Sequence, residues 1–230
     1  MSAPASPHHF DAQQAAGYDD RWAALAPLRD SLHLQMRLVL QGLPVDACIL
    51  CVGAGTGTEL IALARFFPSW RFVAVDPSAA MLDLCKRNTD REGITGRCEF
   101  HACFVHELPT DLRCDAATAI LVSQFITEKT QRSAFFRDIA KCLKPAGALI
   151  TADLCLLPDD QQKQLFPIWQ RMMMLTGATE EQVQGMLASY RQSVALLPLG
   201  EMESLLQEAG FLQPVHFSQS LLIHAWFARR

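Results

Sequence analysis

The chain reads as an α/β protein with one doubly wound sheet, seven strands wide and mostly parallel, closed by an antiparallel C-terminal strand and carrying a helical insertion after the fifth strand. Three observations support this. Short apolar runs alternate with helical segments through residues 46–153, a glycine-rich turn (Gly53-Ala54-Gly55-Thr56-Gly57) follows the first apolar run directly, and residues 154–200 break the alternation with two Met- and Leu-rich helical stretches. Such alternation implies parallel strands joined by right-handed crossovers, with helices on both faces. Ligands then bind beyond the carboxyl ends of the strands.

The elements follow in order. Residues 11–21 read as a polar arm, and residues 25–43 as a helix whose Leu32, Met36, Val39 and Leu40 share a face. Arm and helix together make up an N-terminal segment, 1–45. The first strand, 47–52, is apolar throughout, as expected for a strand buried on both faces. A helix over 59–67 stops at Pro68, the strand 72–75 ends at Asp76-Pro77, and Ser78 caps a helix over 79–88 with Met81, Leu82 and Cys85 inward. A third strand is expected at 98–103 and a fourth at 116–122, entered from Asp115. A helix over 131–143 closes at Lys144-Pro145-Ala146-Gly147, a stop-and-turn signal, before the fifth strand at 148–153. The insertion holds helices at 159–176 and 179–196, in which Met172, Met173, Met174 and Met186 suit either an adaptable apolar wall or simple helix packing. A last helix, 201–209, ends at Gly210, and 213–218 with 221–228 alternate as an antiparallel pair. The whole is one domain, with the insertion placed as a lid beside the strand ends or as a candidate homodimer surface.

Composition narrows the function classes. With 20 basic and 24 acidic residues, a formal charge of -4 and no Lys/Arg run, a nucleic-acid partner is disfavoured, because phosphate binding needs a concentrated basic surface. No apolar stretch reaches spanning length and residues 1–10 lack a signal-peptide core, so a cytoplasmic protein without a membrane partner is expected. The eight cysteines, Cys48, Cys51, Cys85, Cys98, Cys103, Cys114, Cys142 and Cys155, are scattered rather than spaced as zinc ligands, so no metal site and no disulfide is expected. Cys48 and Cys51 form a nominal C-x-x-C, but residues three apart on a strand face opposite sides. They read as small buried hydrophobes in a reducing compartment.

The turn and the acidic residue after it define the chemistry. Glycines let the backbone turn sharply and approach a ligand closely. Asp76, 23 residues after Gly53, stands where a carboxylate can accept hydrogen bonds from both ribose hydroxyls. A dinucleotide fingerprint is G-x-G-x-x-G, opening a helix onto a pyrophosphate. Here the spacing is G-x-G-x-G followed by Thr58-Glu59, which sets a carboxylate where a diphosphate would want positive potential.

That pattern resembles the first motif of class I S-adenosylmethionine-dependent methyltransferases, whose cofactor carries no phosphate. More of the chain is similar to the carboxy-S-adenosylmethionine synthase branch and its ordinary methyltransferase relatives: Phe10-Asp11, Val75-Asp76-Pro77-Ser78-Ala79-Ala80-Met81, Ser123-Gln124-Phe125, Leu143 to Leu149, the insertion, and Ala209-Gly210-Phe211. The resemblance implies a Rossmann-like fold and S-adenosyl-L-methionine as cofactor. It implies cofactor contacts at His33, Gly53, Ala54, Gly55, Thr56, Gly57, Asp76, Pro77, Met81, Cys103, Phe104, Leu121, Val122 and Gln124.

Departures from the branch point to ordinary methyl transfer. The branch uses an arginine in the insertion to hold the extra carboxylate of its modified cofactor; the matching position is Gln184, with Arg191 two helical turns away. A neutral amide lacks the charge-assisted fork of a guanidinium. Ile120 stands where the branch has a cofactor-contacting asparagine, and Cys103 where the wider family has an adenine-binding aspartate. The expected activity is direct in-line methyl transfer to a small, partly apolar acceptor. A carboxy-S-adenosylmethionine synthase, a non-catalytic cofactor-binding protein and a dinucleotide oxidoreductase are the alternatives. A sulfonium methyl needs alignment and dryness more than side-chain chemistry, and a base only where the acceptor holds a proton. No catalytic residue is assigned; His33 and Tyr190 are weak candidates beside Tyr18 and His106.

Overall fold

The computed structural model describes residues 17–230, with the backbone alone at 186, 187 and 189–193. Phe10-Asp11, the start of the expected arm, and the side chains of Met186, Tyr190 and Arg191 lie outside the described residues. The elements are α1 (Tyr18–Trp22), α2 (Ala26–Leu40), β1 (Cys48–Val52), α3 (Thr58–Phe66), β2 (Arg71–Val75), α4 (Ala79–Arg91), β3 (Cys98–His101), β4 (Cys114–Ile120), α5 (Lys129–Lys141), β5 (Leu143–Leu156), α6 (Asp159–Met174), α7 (Glu180–Ser193), β6 (Leu197–Pro198), α8 (Leu199–Glu208), β7 (Leu212–Ser220) and β8 (Ile223–Arg229). The sheet order is β3-β2-β1-β4-β5-β8-β7, and the two-residue β6 adds to β5 off this path. β1 to β5 are mutually parallel, and β8 runs antiparallel to both neighbours. The expected seven-stranded path is therefore present, with one short extra parallel strand.

Period-two alternation divides the core between the two faces of the sheet. Leu50, Val52, Val73, Val75, Ala117, Ala119 and Leu149 face α5 and α8, meeting Phe136, Ile139, Met202 and Leu205. Ile49, Cys51, Phe72, Ala74, Ala116 and Ile150 face α2, α3 and α4, meeting Met36, Leu40, Leu60, Leu63, Leu82 and Cys85. Cys48 packs with the first set and Cys51 with the second, as opposite faces require. A third cluster, Leu154, Leu157, Trp169, Met172, Met173, Val183, Val194 and Leu222, seats the insertion on the end of the sheet.

Three local expectations need correction. The end of the expected polar arm is helical: Tyr18–Trp22 forms α1, because Asp19 is drawn inward to the glycine turn, where it accepts a 2.7 Å hydrogen bond from the Thr56 hydroxyl. Lys144-Pro145-Ala146-Gly147 does not stop the chain in a free turn. Leu143 already pairs with Cys114, and Ala148 with Ala116, so the four residues bulge from one continuous strand. Gly147 permits the bulge, since a Cβ there would lie 2.8 Å from the Lys144 carbonyl oxygen. Finally, β3 ends at His101, leaving Cys103 in the following loop.

Candidate functional site

The carboxyl ends of β1, β2 and β4 open into a cavity of about 1110 Å³. Single-ligand pockets are usually ~300–1,000 Å³, so there is room here for a cofactor and a second molecule.

The wall nearest β1 is backbone. The amides of Gly53 and Ala54 both donate to the Val75 carbonyl, at 2.8 and 3.1 Å, so the turn folds back over β2. Gly53 has φ 66°, and a Cβ there would sit 2.4 Å from Val122 Cγ2; only glycine lets this turn and the β4 loop approach. Asp76 is fixed from two sides: Oδ2 accepts the Gly55 amide at 2.9 Å, and Oδ1 the Ser78 amide at 2.8 Å. The Asp76 carboxylate thus braces both the turn and the start of α4.

Charge on this side is mainly negative. Glu59, in the first turn of α3, is buried with a pKa pushed up to about 7 by burial, with Asp76 adding to the rise and its own backbone amide opposing it. Tyr18 is held neutral by burial and by the surrounding Asp19, Glu59 and Asp76. These groups suit a positively charged ligand and oppose a diphosphate.

The opposite wall is largely apolar: Trp22, Leu25 and Leu32 from the N-terminal helices, Phe125 after β4, and Trp169, Met173 and Val194 from the insertion. His33 reaches the cavity from α2. Burial, with Arg29 and Arg37 adding, lowers its pKa to about 4, so it stays neutral at physiological pH.

A buried polar network joins the two walls. Leu121 takes φ 58°, a costly conformation for a branched side chain, and its amide donates to the Ala152 carbonyl at 2.6 Å. The Ser123 hydroxyl and the Gln124 amide donate to the two carboxylate oxygens of Asp153, at 2.7 and 2.9 Å. Arg132, 1% exposed, donates to Ser123 Oγ at 2.9 Å and to the Ala195 carbonyl at 2.8 Å, and lies 3.5 Å from Asp153. Burial raises the Asp153 pKa despite the guanidinium and three hydrogen bonds that oppose it. The Ala195 amide donates to the Gln124 carbonyl, so the end of the insertion is stitched to the β4 loop.

Of the sequence-predicted contacts, His33, Gly53, Ala54, Gly55, Thr56, Asp76, Pro77, Met81, Cys103, Phe104, Leu121, Val122 and Gln124 line this one cavity. Gly57 does not. It caps α3 with φ 84°, and a Cβ there would meet Cys85 Sγ at 2.6 Å, so its role is packing. Gln124 lines the wall, but its Oε1 is committed to the Leu154 amide at 2.8 Å. Gln184 lies apart, in a groove with Pro167, Arg171 and Met174 between α6 and α7. Its neutrality therefore says nothing about the charge of the cavity. Among the described residues, the guanidiniums that line it are Arg21 and Arg29. His106 also lines it, stacked on Phe104 with ring centroids 5.8 Å apart. Among the methionines, Met173 reaches the cavity, Met172 is core and Met174 is 44% exposed. Sequence reasoning did not anticipate Trp22, Glu59 or Trp169 as lining residues. Glu59 had a signal, as the acid directly after the glycine turn.

Residues 49–147 match the family model described as a methyltransferase domain. Over this core the chain resembles class I S-adenosylmethionine-dependent methyltransferases, which supports an enzyme with S-adenosyl-L-methionine as cofactor or substrate. Within that class it is similar to the carboxy-S-adenosyl-L-methionine synthase of Campylobacter jejuni serotype O:6, 27% identical over 221 residues, covering 91% of this chain and 88% of that one. In fold it is similar to a candidate O-methyltransferase of Nostoc punctiforme, with a TM-score of 0.70 at 19% identity over 95% of this chain. It is also similar to human N-acetylserotonin methyltransferase in complex with its cofactor, with a TM-score of 0.63 at 16% identity over 95% of this chain. It spans 59% and 55% of the length of those two solved chains.

Proposed function

We propose that this chain transfers a methyl group directly from S-adenosylmethionine to a small, partly apolar acceptor. One observation carries the reading: the cavity runs unbroken from Asp76 and the glycine turn to the apolar wall of Trp22, Trp169 and Met173. When bound, the cofactor supplies an electrophilic sulfonium methyl. Asp76 receives the ribose hydroxyls, the Gly53–Gly55 backbone and Val122 flank the nucleoside, and backbone groups of Cys103 and Phe104 take the adenine edge. Glu59 favours the cofactor's positive charge, whereas a diphosphate would meet it unfavourably. The apolar wall excludes water and orients the acceptor, which is most of what in-line transfer requires. His33, held neutral, takes a hydrogen bond from the acceptor or the cofactor rather than carrying a proton through the reaction.

The similarity to carboxy-S-adenosyl-L-methionine synthases, with Arg21 and Arg29 on the cavity wall, supports a second reading in which a carboxylated cofactor is made or used. Mass spectrometry of ligands released from the freshly purified, denatured protein separates the two: the methyl donor or its demethylated product supports methyl transfer, and the carboxylated form overturns it. Thermal shift with S-adenosylmethionine, S-adenosylhomocysteine and NAD tests the class, since stabilisation by NAD alone would exclude both readings. The same proposal places the enzyme in the cytoplasm, on its eight free thiols. It pairs two copies through the insertion, where Ile168, Met174 and Leu175 are exposed; a monomeric mass by light scattering would refute the pairing.

A further inference from the structure

The eight cysteines are far apart in sequence, yet two of them meet. Cys48 opens β1 and Cys114 opens β4, neighbouring parallel strands in the middle of the sheet, so both lie at the strands' amino ends, away from the cavity. Their sulfurs are 3.0 Å apart. Ile49 pairs with Ala116, so Cys48 and Cys114 are offset by one residue; ~4.8 Å across the strands and ~3.3 Å along them gives roughly 6 Å between Cα atoms, inside the ~4.4–6.8 Å that a disulfide accepts. Closing the bond to ~2.05 Å therefore needs about 1 Å of sulfur movement.

The surroundings assign different roles to the two thiols. Cys48 is half-buried, and Cys114 is fully buried. Arg71 and Lys144 stand on the Cys48 side and favour its thiolate, against Asp115, whose Oδ2 accepts the Cys48 amide at 2.9 Å while Lys144 Nζ donates to its Oδ1 at 2.8 Å. The hydrogen bond from Cys114 is the largest influence holding the Cys48 thiol below its usual range, and Cys114 is raised in return. An accessible, more acidic thiol beside a buried partner is the arrangement of an attacking and a resolving cysteine. Cys142 is the third thiol nearby, its backbone carbonyl accepting the Cys114 amide at 2.8 Å.

We propose that Cys48 and Cys114 form a reversible disulfide, fastening β1 to β4, when the protein meets a hydroperoxide. The Cys48 thiolate attacks the peroxide, the O–O bond breaks, and Cys48 becomes a sulfenic acid with release of one water (or alcohol). Cys114 sulfur then attacks Cys48 sulfur; the S–O bond breaks and the hydroxyl leaves with the Cys114 proton as a second water. Two thiols lose two electrons and two protons, and one peroxide is reduced. The bond forms at the opposite end of β1 from Val52, ~13 Å along the strand, so the cofactor cavity stays intact.

The test exposes the full-length reduced protein to hydrogen peroxide, alkylates it under denaturing conditions and maps peptides. The expected result is a loss of two of the eight alkylatable thiols, a Cys48–Cys114 cross-linked peptide and full recovery with dithiothreitol. The cross-link should persist in Cys142→Ser and vanish in Cys48→Ser. In Cys114→Ser, dimedone should trap Cys48 as the sulfenic acid. Affinity for S-adenosylhomocysteine should stay within about twofold across the oxidation. Eight thiols alkylated after exposure, a cross-link to Cys142, or loss confined to other cysteines would each overturn the proposal. The wild-type peptide map decides the matter even where the buried Cys114→Ser variant fails to fold.

Discussion

Replacing Asp76 with alanine should weaken cofactor binding and loosen the empty protein at once, and the two effects can be measured separately. The carboxylate accepts the Gly55 and Ser78 amides at 2.9 and 2.8 Å. Hydrogen bonds to a charged group are worth ~1.5–3 kcal/mol each, and water from the cavity would replace part of what is lost. A net loss of about 2–3 kcal/mol follows, which lowers Tm by roughly 4–12 °C at ~2–4 °C per kcal/mol for a chain of this size. Losing the ribose contacts removes a similar ~2–3 kcal/mol from binding, or roughly 30- to 150-fold in Kd. Asp76→Asn keeps the shape and one acceptor oxygen, so it should recover part of the stability and little of the affinity. Calorimetric titration with S-adenosylmethionine and S-adenosylhomocysteine, at a temperature where each variant is folded, gives the answer. A Kd within threefold of wild type alongside a lowered Tm would show that Asp76 only braces the turn, and the assignment of the nucleoside site would fail.

Four further outcomes are expected. Gly53→Ala should cost roughly 2–5 kcal/mol, from ~1–2 of left-handed strain and ~1–3 of overlap with Val122. Val122→Ala in the same chain should recover the overlap and leave the strain, as read by urea unfolding. Glu59, with its folded pKa raised to about 7, stabilises the fold fully below the ordinary range near 4.5 and loses that contribution, about 3 kcal/mol, as pH rises through 7. Glu59→Gln should flatten this decline. A cation bound beside Glu59 lowers its pKa, so binding of S-adenosylmethionine near pH 7 should release about half a proton; calorimetry in buffers of different ionisation enthalpy would detect it, and an equal release from Glu59→Gln would refute the attribution. Arg132→Met should cost about 3–5 kcal/mol by leaving Asp153 buried without its cation, whereas Arg132→Met with Asp153→Leu should unfold closer to wild type.

The strands and helices of the core were legible because each carries a period that burial enforces: continuous apolar runs in β1 and β2, and 3.6-residue stripes in α2 and α4. The glycine turn, Asp76 and the cap at Ser78 were legible for a local reason, since their conformations are dictated by neighbours in sequence. What escaped depends on tertiary approach. Nothing in the spacing of Tyr18 and Asp19 announces a helix, because Asp19 is fixed by Thr56 and Asn88 from distant segments. Gly57 carried the look of a ligand-binding glycine, while its constraint is the sulfur of Cys85. Gln184 was read as a missing arginine, but the α6–α7 hairpin turns that position away from the cavity. The contact of Cys48 with Cys114 depends on strand order, which places the fourth strand beside the first.

The stitch between Ala195, Gln124 and Arg132 bears on how this enzyme could be re-engineered. Because the apolar wall shares its polar anchor with the loop after β4, the helical insertion is not an independent cassette. A graft of another α6–α7 hairpin with its return leg between residues 157 and 196 would have to offer a carbonyl to Arg132 and an amide to Gln124. A graft that lacked either would leave a buried guanidinium or carbonyl without its partner. The apolar wall, and with it the specificity for the proposed acceptor, is therefore reshaped more cheaply by changing Trp169, Met173 or Val194 within the existing frame than by exchanging the frame itself.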